Sequence, residues 1–145
     1  ARKTSPMPYL PNDQLRPEPS IDDAPFWEGC RARELRVQCC ADCGRHRHPP
    51  TPRCPYCQSA NLRWEAVRGP ARLYTWTEVH HAAHPAVRGR GPYVVAVVEY
   101  PEMGGVRVIS NLVDAAAPKI GAELALFWDD VGDGMWLPRY RGAGG

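Results

Sequence analysis

The chain has 145 residues, 43% of them apolar and 23% charged, with a formal net charge of +2. That length suits one globular domain or two very small ones. Its 16 prolines and 13 glycines argue against a helical bundle, because both residues are costly inside helices.

The longest clean apolar run, Val94 to Val98, falls far short of the roughly 20 residues that a membrane span needs. No basic-then-apolar leader opens the chain, so the expectation is a cytoplasmic protein without a secretory signal or membrane attachment. Residues 1–19 carry Pro6, Pro8, Pro11, Pro17 and Pro19 with few apolar residues. They read as an extended N-terminal arm, ordered only where it lies on something. Residues 20–34 form the next segment. Ser20 and Asp23 fit a weak capping box, and Pro25 suits a first helical turn. A short helix over about 22–33 follows, with Phe26, Trp27 and Cys30 on its apolar side.

Residues 35–64 read as a zinc ribbon. Leu35, Val37 and Cys39 alternate as a strand. Cys40-x-x-Cys43 and Cys54-x-x-Cys57 are two CxxC pairs separated by ten residues. Each pair presents two thiolates from one tight turn, and two such turns complete a tetrahedral four-sulfur zinc site. A disulfide inside a CxxC suits redox catalysts better than structural bridges. Gly44 follows Cys43 where the turn needs a residue free to take positive φ. Only Cys40 gives the right spacing to Cys43, so Cys39 is assigned to the strand and Cys30 is read as a buried thiol on the helix. Four thiolates and one Zn²⁺ sum to −4 + 2 = −2, which brings the formal total of +2 to zero. A closed four-sulfur site has no open position for water or substrate, so this zinc is structural, and so small a module needs it to fold. His46 to Pro52 reads as a Pro-rich connection.

From residue 65 the pattern changes to strands. Five are expected: Ala71 to His80, Tyr93 to Tyr100, Val106 to Val113, Glu123 to Trp128, and Met135 to Tyr140. The second is nearly continuously apolar, as in a central strand buried on both faces. Pro138 demotes the fifth to an edge or a strand end. Gly69-Pro70, Gly104-Gly105 and Gly132 to Gly134 mark turns. The fold class is therefore mainly β: a short helix and a zinc ribbon, then a small five-stranded antiparallel barrel over 65–141. Residues 142–145 read as a disordered tail.

Outside the cysteines, chemistry is sparse. His80, His81 and His84 follow a strand and lead to Arg88 and Arg90, with Glu78 on the same face as His80. An acid–base role is conceivable there, but a polar surface loop is the simpler reading. There is no nucleophile elbow, phosphate-binding glycine loop or HExxH. Arg31, Arg33, Arg36, Arg45, Arg47 and Arg53 crowd the ribbon, yet nearby carboxylates and the −2 metal centre offset them. Nucleic-acid binding by a ribbon–barrel module is the alternative they keep open.

At this point the sequence resembles the acyl-CoA-associated proteins that join a rubredoxin-like zinc ribbon to an OB-fold, long catalogued as a domain of unknown function. The resemblance is carried by Phe26-Trp27-Glu28-Gly29, Glu34 to Gln38 running into Cys40-x-x-Cys43-Gly44, and Pro49-Pro50. It continues through Cys54-Pro55-x-Cys57, Tyr74 to Thr77, His80, His84-Pro85, Pro92 to Ala96, Ser110-Asn111-Leu112 and Gly121. Cys39 departs from the pattern, where an arginine or similar residue is more usual.

The resemblance implies a non-catalytic accessory subunit of a thiolase-superfamily enzyme, a thiolase or a retro-aldolase, acting on acyl-CoA thioesters. Steroid side-chain degradation is one such setting. The partner would hold the catalytic residues, in a two-plus-two hetero-oligomer. This chain would stabilise it and help shape its acyl-CoA site, with His80, His81, His84, Arg88 and Arg90 as the loop that contacts CoA or the partner. The third reading is an acyl-CoA enzyme in its own right, using one of the loop histidines as base. The supply of aromatic side chains exceeds what a five-stranded barrel holds, so some should face outward and mark a protein interface.

Overall fold

A computed structural model describes residues 8–10 and 16–144. The expected arm falls largely outside them, at 1–7 and 11–15. Of its described part, Tyr9 lies on the barrel, its backbone N–H donating to the Asp129 carboxylate at 3.2 Å.

Helix α1 (Ala24–Arg31) is shorter than expected at both ends. Ser20 donates its backbone N–H and its hydroxyl to Asp23, closing a turn just before the helix. Pro25 occupies the first turn, where its missing N–H costs nothing. The chain folds back through Arg33 at φ 56°, with the Glu34 N–H bonded to the Gly29 carbonyl at 2.8 Å. A Cβ on Gly29 would stand 2.5 Å from the Glu34 carbonyl oxygen, so this close return requires glycine.

The ribbon is a three-stranded antiparallel sheet in the order β2-β1-β3: β1 (Arg36–Cys40), β2 (His46–Arg47) and β3 (Leu62–Ala66). Strand β2 stands where a plain connection was expected. Its two residues pair because buried Arg47 donates from Nε to Gln38 Oε1 at 2.8 Å, and the same oxygen accepts the Thr51 N–H at 2.9 Å. Strand β3 runs on to Ala66, so the ribbon sheet extends past the expected boundary at 64.

The remaining strands close into a barrel in the order β4-β5-β6-β8-β7: β4 (Ala71–Val79), β5 (Tyr93–Tyr100), β6 (Val106–Leu112), β7 (Glu123–Gly132) and β8 (Met135–Gly142). All pairings are antiparallel except the single parallel contact of Leu112 with Tyr140 between β6 and β8. The expected fourth and fifth strands are longer than read. Pro138 does not end β8, which pairs with β7 from Met135 to Gly142. On its other flank β8 meets β6 only near Tyr140, and the Pro138 carbonyl accepts the Ser110 hydroxyl. The expected tail begins inside this strand, and the Ala143 N–H bonds the Glu123 carbonyl at 3.1 Å.

Strand β5 is not buried on both faces. Val94, Ala96, Val98 and Tyr100 point inward, while Tyr93, Val95, Val97 and Glu99 are half-exposed. Phe26 and Cys30 of the helix and Leu35 and Val37 of the ribbon join the barrel residues in one core. Burial pushes the Cys30 thiol up to about 12, so it stays protonated and inert.

Inside the barrel the Tyr100 and Tyr140 hydroxyls meet at 2.7 Å, both rings being almost fully buried. A Tyr140→Phe variant should lose about 1–3 kcal/mol, because the Tyr100 hydroxyl is left without that partner in an apolar interior. Urea unfolding measures this.

Candidate metal centre and surface cleft

Both cysteine turns are built alike. The Gly44 N–H bonds the Cys40 carbonyl, and the Gln58 N–H bonds the Cys54 carbonyl, each at 2.9 Å. The residue after each second cysteine takes positive φ: 74° at Gly44 and 63° at Gln58. The first was legible as a glycine; the second, on a glutamine, was not. The Cys43 N–H points at Cys40 Sγ, 3.4 Å away.

The four sulfurs of Cys40, Cys43, Cys54 and Cys57 lie within 4.8 Å of one another. Cys40–Cys57 and Cys43–Cys54 are each 3.6 Å apart. A tetrahedral site with 2.3 Å zinc–sulfur bonds has edges of about 3.8 Å, so the donor set fits zinc. Backbone N–H groups, that of Cys43 foremost, draw the Cys40 thiol down to about 6. At Cys57 the Ser59 N–H acts in the same direction. Burial and the neighbouring sulfurs of Cys40, Cys43 and Cys54 outweigh it and push this thiol up to about 12. Four thiolates at this spacing repel one another, and a divalent cation removes that conflict. The ion supplies a cross-link between the two turns, with all four positions taken by protein.

The loop residues do not converge. His80 Nε2 pairs with Glu78 at 2.7 Å, with the imidazole mostly in solvent. His84 Nδ1 accepts the Ala86 N–H and caps a short 3₁₀ turn over Pro85–Val87. Arg90 donates to the Tyr9 carbonyl at 2.5 Å. His81 and Arg88 are exposed. The loop joins β4 to β5 beside Tyr93, whereas the ribbon sits by the β5–β6 turn, where Gly104 approaches His46. The two expected sites are therefore at opposite ends of β5.

Most of the ribbon's basic side chains are engaged within the chain. Arg31 donates to the Asp133 carbonyl, Arg36 to Glu34, Arg47 to Gln38 and Arg53 to the Gln58 carbonyl. Arg33 and Arg45 lie over the Trp136 and Tyr56 rings.

Sequence reasoning missed a cleft of about 420 Å³ between α1, the ribbon's proline segment, β6 and β8. Phe26, Trp27, His48, Pro49, Pro50, Ile109 and Leu137 line most of it. Phe26 stacks edge-on to Trp27 at 4.9 Å and tilted against His48 at 5.1 Å. His48 Nδ1 is buried without a hydrogen-bond partner, and burial lowers the imidazole's pKa, keeping it neutral. Trp27 Nε1 is buried beside the Asp23 carboxylate but outside hydrogen-bond geometry. Neither atom is open to solvent, so the surface that the cleft presents is mainly apolar. Ile109 is 72% exposed at its mouth. Of the other aromatic residues, Tyr74 and Trp76 are exposed on β4, as expected of a surplus that the barrel cannot hold. Among the described residues no helix is long and apolar enough to cross a membrane.

Comparison with known proteins agrees with this architecture. Residues 27–63 match a family model described as ChsH2, rubredoxin-like zinc ribbon domain, and residues 64–129 match ChsH2, C-terminal OB-fold domain. A solved chain titled Ltp2-ChsH2(DUF35) aldolase superposes with TM-score 0.78 at 38% identity, covering 88% of this chain and 99% of that one. A DUF35 protein of Sulfolobus solfataricus, 16% identical with TM-score 0.63, shares the fold.

A probable enoyl-CoA hydratase alpha subunit of Thermomonospora curvata is 42% identical over 135 residues, 89% of this chain and 40% of the relative. The 3-oxo-4,17-pregnadiene-20-carboxyl-CoA hydratase alpha subunit of Mycobacterium tuberculosis is 38% identical over 126 residues, 85% of this chain and 39% of the relative. The chain thus spans about two fifths of the length of these curated relatives. It belongs to the ChsH2 (DUF35) family.

Proposed function

We propose that this ChsH2-family chain is the non-catalytic zinc-ribbon/OB component of a cytoplasmic complex that cleaves a carbon–carbon bond in an acyl-CoA thioester. The catalytic groups sit on a thiolase-superfamily aldolase. The observation that carries this reading is the near-complete overlap with the ChsH2 chain of a solved aldolase. The two hydratase relatives support an acyl-CoA substrate, and the second of them a steroid one. The chain's own chemistry agrees: its zinc site is closed by four sulfurs, and the loop histidines are engaged separately or exposed.

In this reading the chain binds and braces. The zinc locks the ribbon, the ribbon and α1 form one wall of the cleft, and the barrel forms the other. The cleft, mostly apolar and with Ile109 exposed at its mouth, seats the partner. Two copies on a two-fold symmetric partner give a two-plus-two complex.

Co-expression with a thiolase-like aldolase, followed by size-exclusion chromatography with mass measurement, tests the assembly. A stable complex that releases a ketone or aldehyde from a β-hydroxyacyl-CoA, with this chain inert alone, is the expected result. Separate elution at micromolar concentration, with the partner fully active alone, would refute it. A complex formed with a hydratase subunit instead would give the module to hydration.

The β4–β5 loop carries a narrower proposal, contact with CoA phosphate. Replacing Arg88 and Arg90 together with alanine should raise the complex's KM for a CoA substrate more than it lowers kcat. Unchanged kinetics make the loop an ordinary surface segment.

A nucleic-acid reading finds one favourable feature, the exposed Tyr74 and Trp76 on β4. Arg107 already covers the Tyr74 ring at 3.6 Å, so that stacking face is taken. Binding that weakens steeply with salt would revive it.

A further inference from the structure

The ribbon holds a second set of ligand-type side chains that the four-sulfur site does not use. Strand register assembles it. Cys39 of β1 is opposite His46 of β2 on one flank and Arg63 of β3 on the other, and Val37 is opposite Glu65. Directly opposed residues share a face, as do residues two apart along a strand. Cys39, His46, Arg63 and Glu65 therefore project from the same face of the sheet, the one away from the adjacent ligand Cys40.

Their donor atoms meet. Cys39 Sγ, an imidazole nitrogen of His46 and a carboxylate oxygen of Glu65 lie within 4.8 Å of one another. His46 Nε2 is 2.7 Å from Glu65 Oε2. Arg63 Nε holds the other carboxylate oxygen, Oε1, also at 2.7 Å. Cys39 is fully buried, while the His46 and Glu65 side chains are 13% and 25% exposed.

We propose that Cys39, His46 and Glu65 form a second metal site, for a zinc-class divalent cation, distinct from the Cys40–Cys43–Cys54–Cys57 centre. One thiolate, one imidazole and one carboxylate make a donor set that zinc takes. Arg63 fixes Oε1, as an outer-shell partner does for a ligating carboxylate, and Oε2 faces His46 with Arg68 Nη1 3.7 Å away. On binding, the Cys39 proton and any proton between His46 and Glu65 leave to solvent. The ion's two positive charges then face one thiolate and one carboxylate. The His46–Glu65 contact opens to about 3.3 Å, the edge of a tetrahedron with bonds near 2.0 Å. Three protein ligands leave a fourth position for water, reached from the shallow groove beside Gly44, Arg45 and Gly104. The competing arrangement is a His–Glu–Arg ion ladder over a buried thiol, with no metal.

The two arrangements differ in stoichiometry. The full chain is equilibrated with zinc, freed of unbound metal by gel filtration and submitted to elemental analysis. Two zinc ions per chain are expected for the unaltered protein, and one each for Cys39→Ser, His46→Ala and Glu65→Gln. Because Cys39 adjoins Cys40, cobalt substitution provides a second readout. The strong sulfur-to-cobalt absorption of the four-thiolate centre should persist in His46→Ala and Glu65→Gln, while a weaker single-thiolate component disappears. One zinc per chain in the unaltered protein, or a second ion retained in His46→Ala and Glu65→Gln, overturns the proposal.

Discussion

A Cys40→Ser protein should lose its structural zinc and, with it, the fold of residues 36–66. The reason is the small amount of other material holding the ribbon together. Strand β2 has only two residues, and β3 is half-exposed or exposed throughout. Leu35, Val37, Cys39, Cys40 and Cys54 are the ribbon's buried apolar side chains, and two of these five are ligands of the four-sulfur site. Structural zinc supplies an apparent 10–16 kcal/mol in comparable modules, about as much as an entire small domain's net stability. Elemental analysis should find the four-sulfur ion gone, and hydrogen exchange should find the amides of β1 and β3 unprotected.

The barrel will not escape unchanged, because Leu35 and Val37 pack in the same core as Phe26 and the barrel strands. Its melting temperature should fall while its strands stay protected at lower temperature. The Cys30→Ser control separates ligand loss from thiol loss. It buries a hydroxyl where a thiol was, costing about 1–3 kcal/mol, yet keeps the ion. Full occupancy of the four-sulfur site in Cys40→Ser would show that the cluster is not the ligand set.

The metal centre was legible because its determinants are local. Spacing places Cys40 against Cys43 and Cys54 against Cys57, and each turn is closed by hydrogen bonds within five residues. The barrel was legible as strands separated by glycine turns, and Gly44 as the residue of the first turn that needs positive φ. What escaped depends on pairings between distant segments. Strand β2 exists because Arg47 finds Gln38 nine residues away. Pro138 sits within a strand because it pairs with Trp128 of β7 while its other flank has no ladder to β6, which β8 meets only at Tyr140. The half-exposed face of β5 reads in sequence like a buried one, since valine is at home in either place. The cleft joins residues 23 to 139, and the grouping of Cys39 with Glu65 follows from a register that no local pattern displays.

Ile109→Asp should abolish assembly with the aldolase partner while leaving the free chain intact. Ile109 stands 72% exposed on β6, so the carboxylate remains in water in the free chain. Changes at such sites usually move stability by no more than about 0.5 kcal/mol. In the complex the same carboxylate would be buried at the mouth of the cleft, near Leu137 and Trp27, where the two lining cations are already engaged, Arg107 over the Tyr74 ring and Arg139 with Asp129. A buried unpaired charge at an interface costs about 2–5 kcal/mol, which is a 30-fold to several-thousandfold loss of affinity.

The choice of this face over the exposed Tyr74 and Trp76 rests on its mainly apolar lining and on Ile109, exposed at its mouth. Tyr74, by contrast, already has Arg107 stacked on it. Trp76→Asp is therefore the matched control: it places the same charge on the other exposed aromatic surface and should leave assembly nearly unchanged. Calorimetric titration of each variant with purified partner, alongside urea unfolding of the free chain, gives both numbers needed. If Ile109→Asp binds as tightly as the unaltered chain and Trp76→Asp does not, the docking face is β4 and the cleft has another occupant.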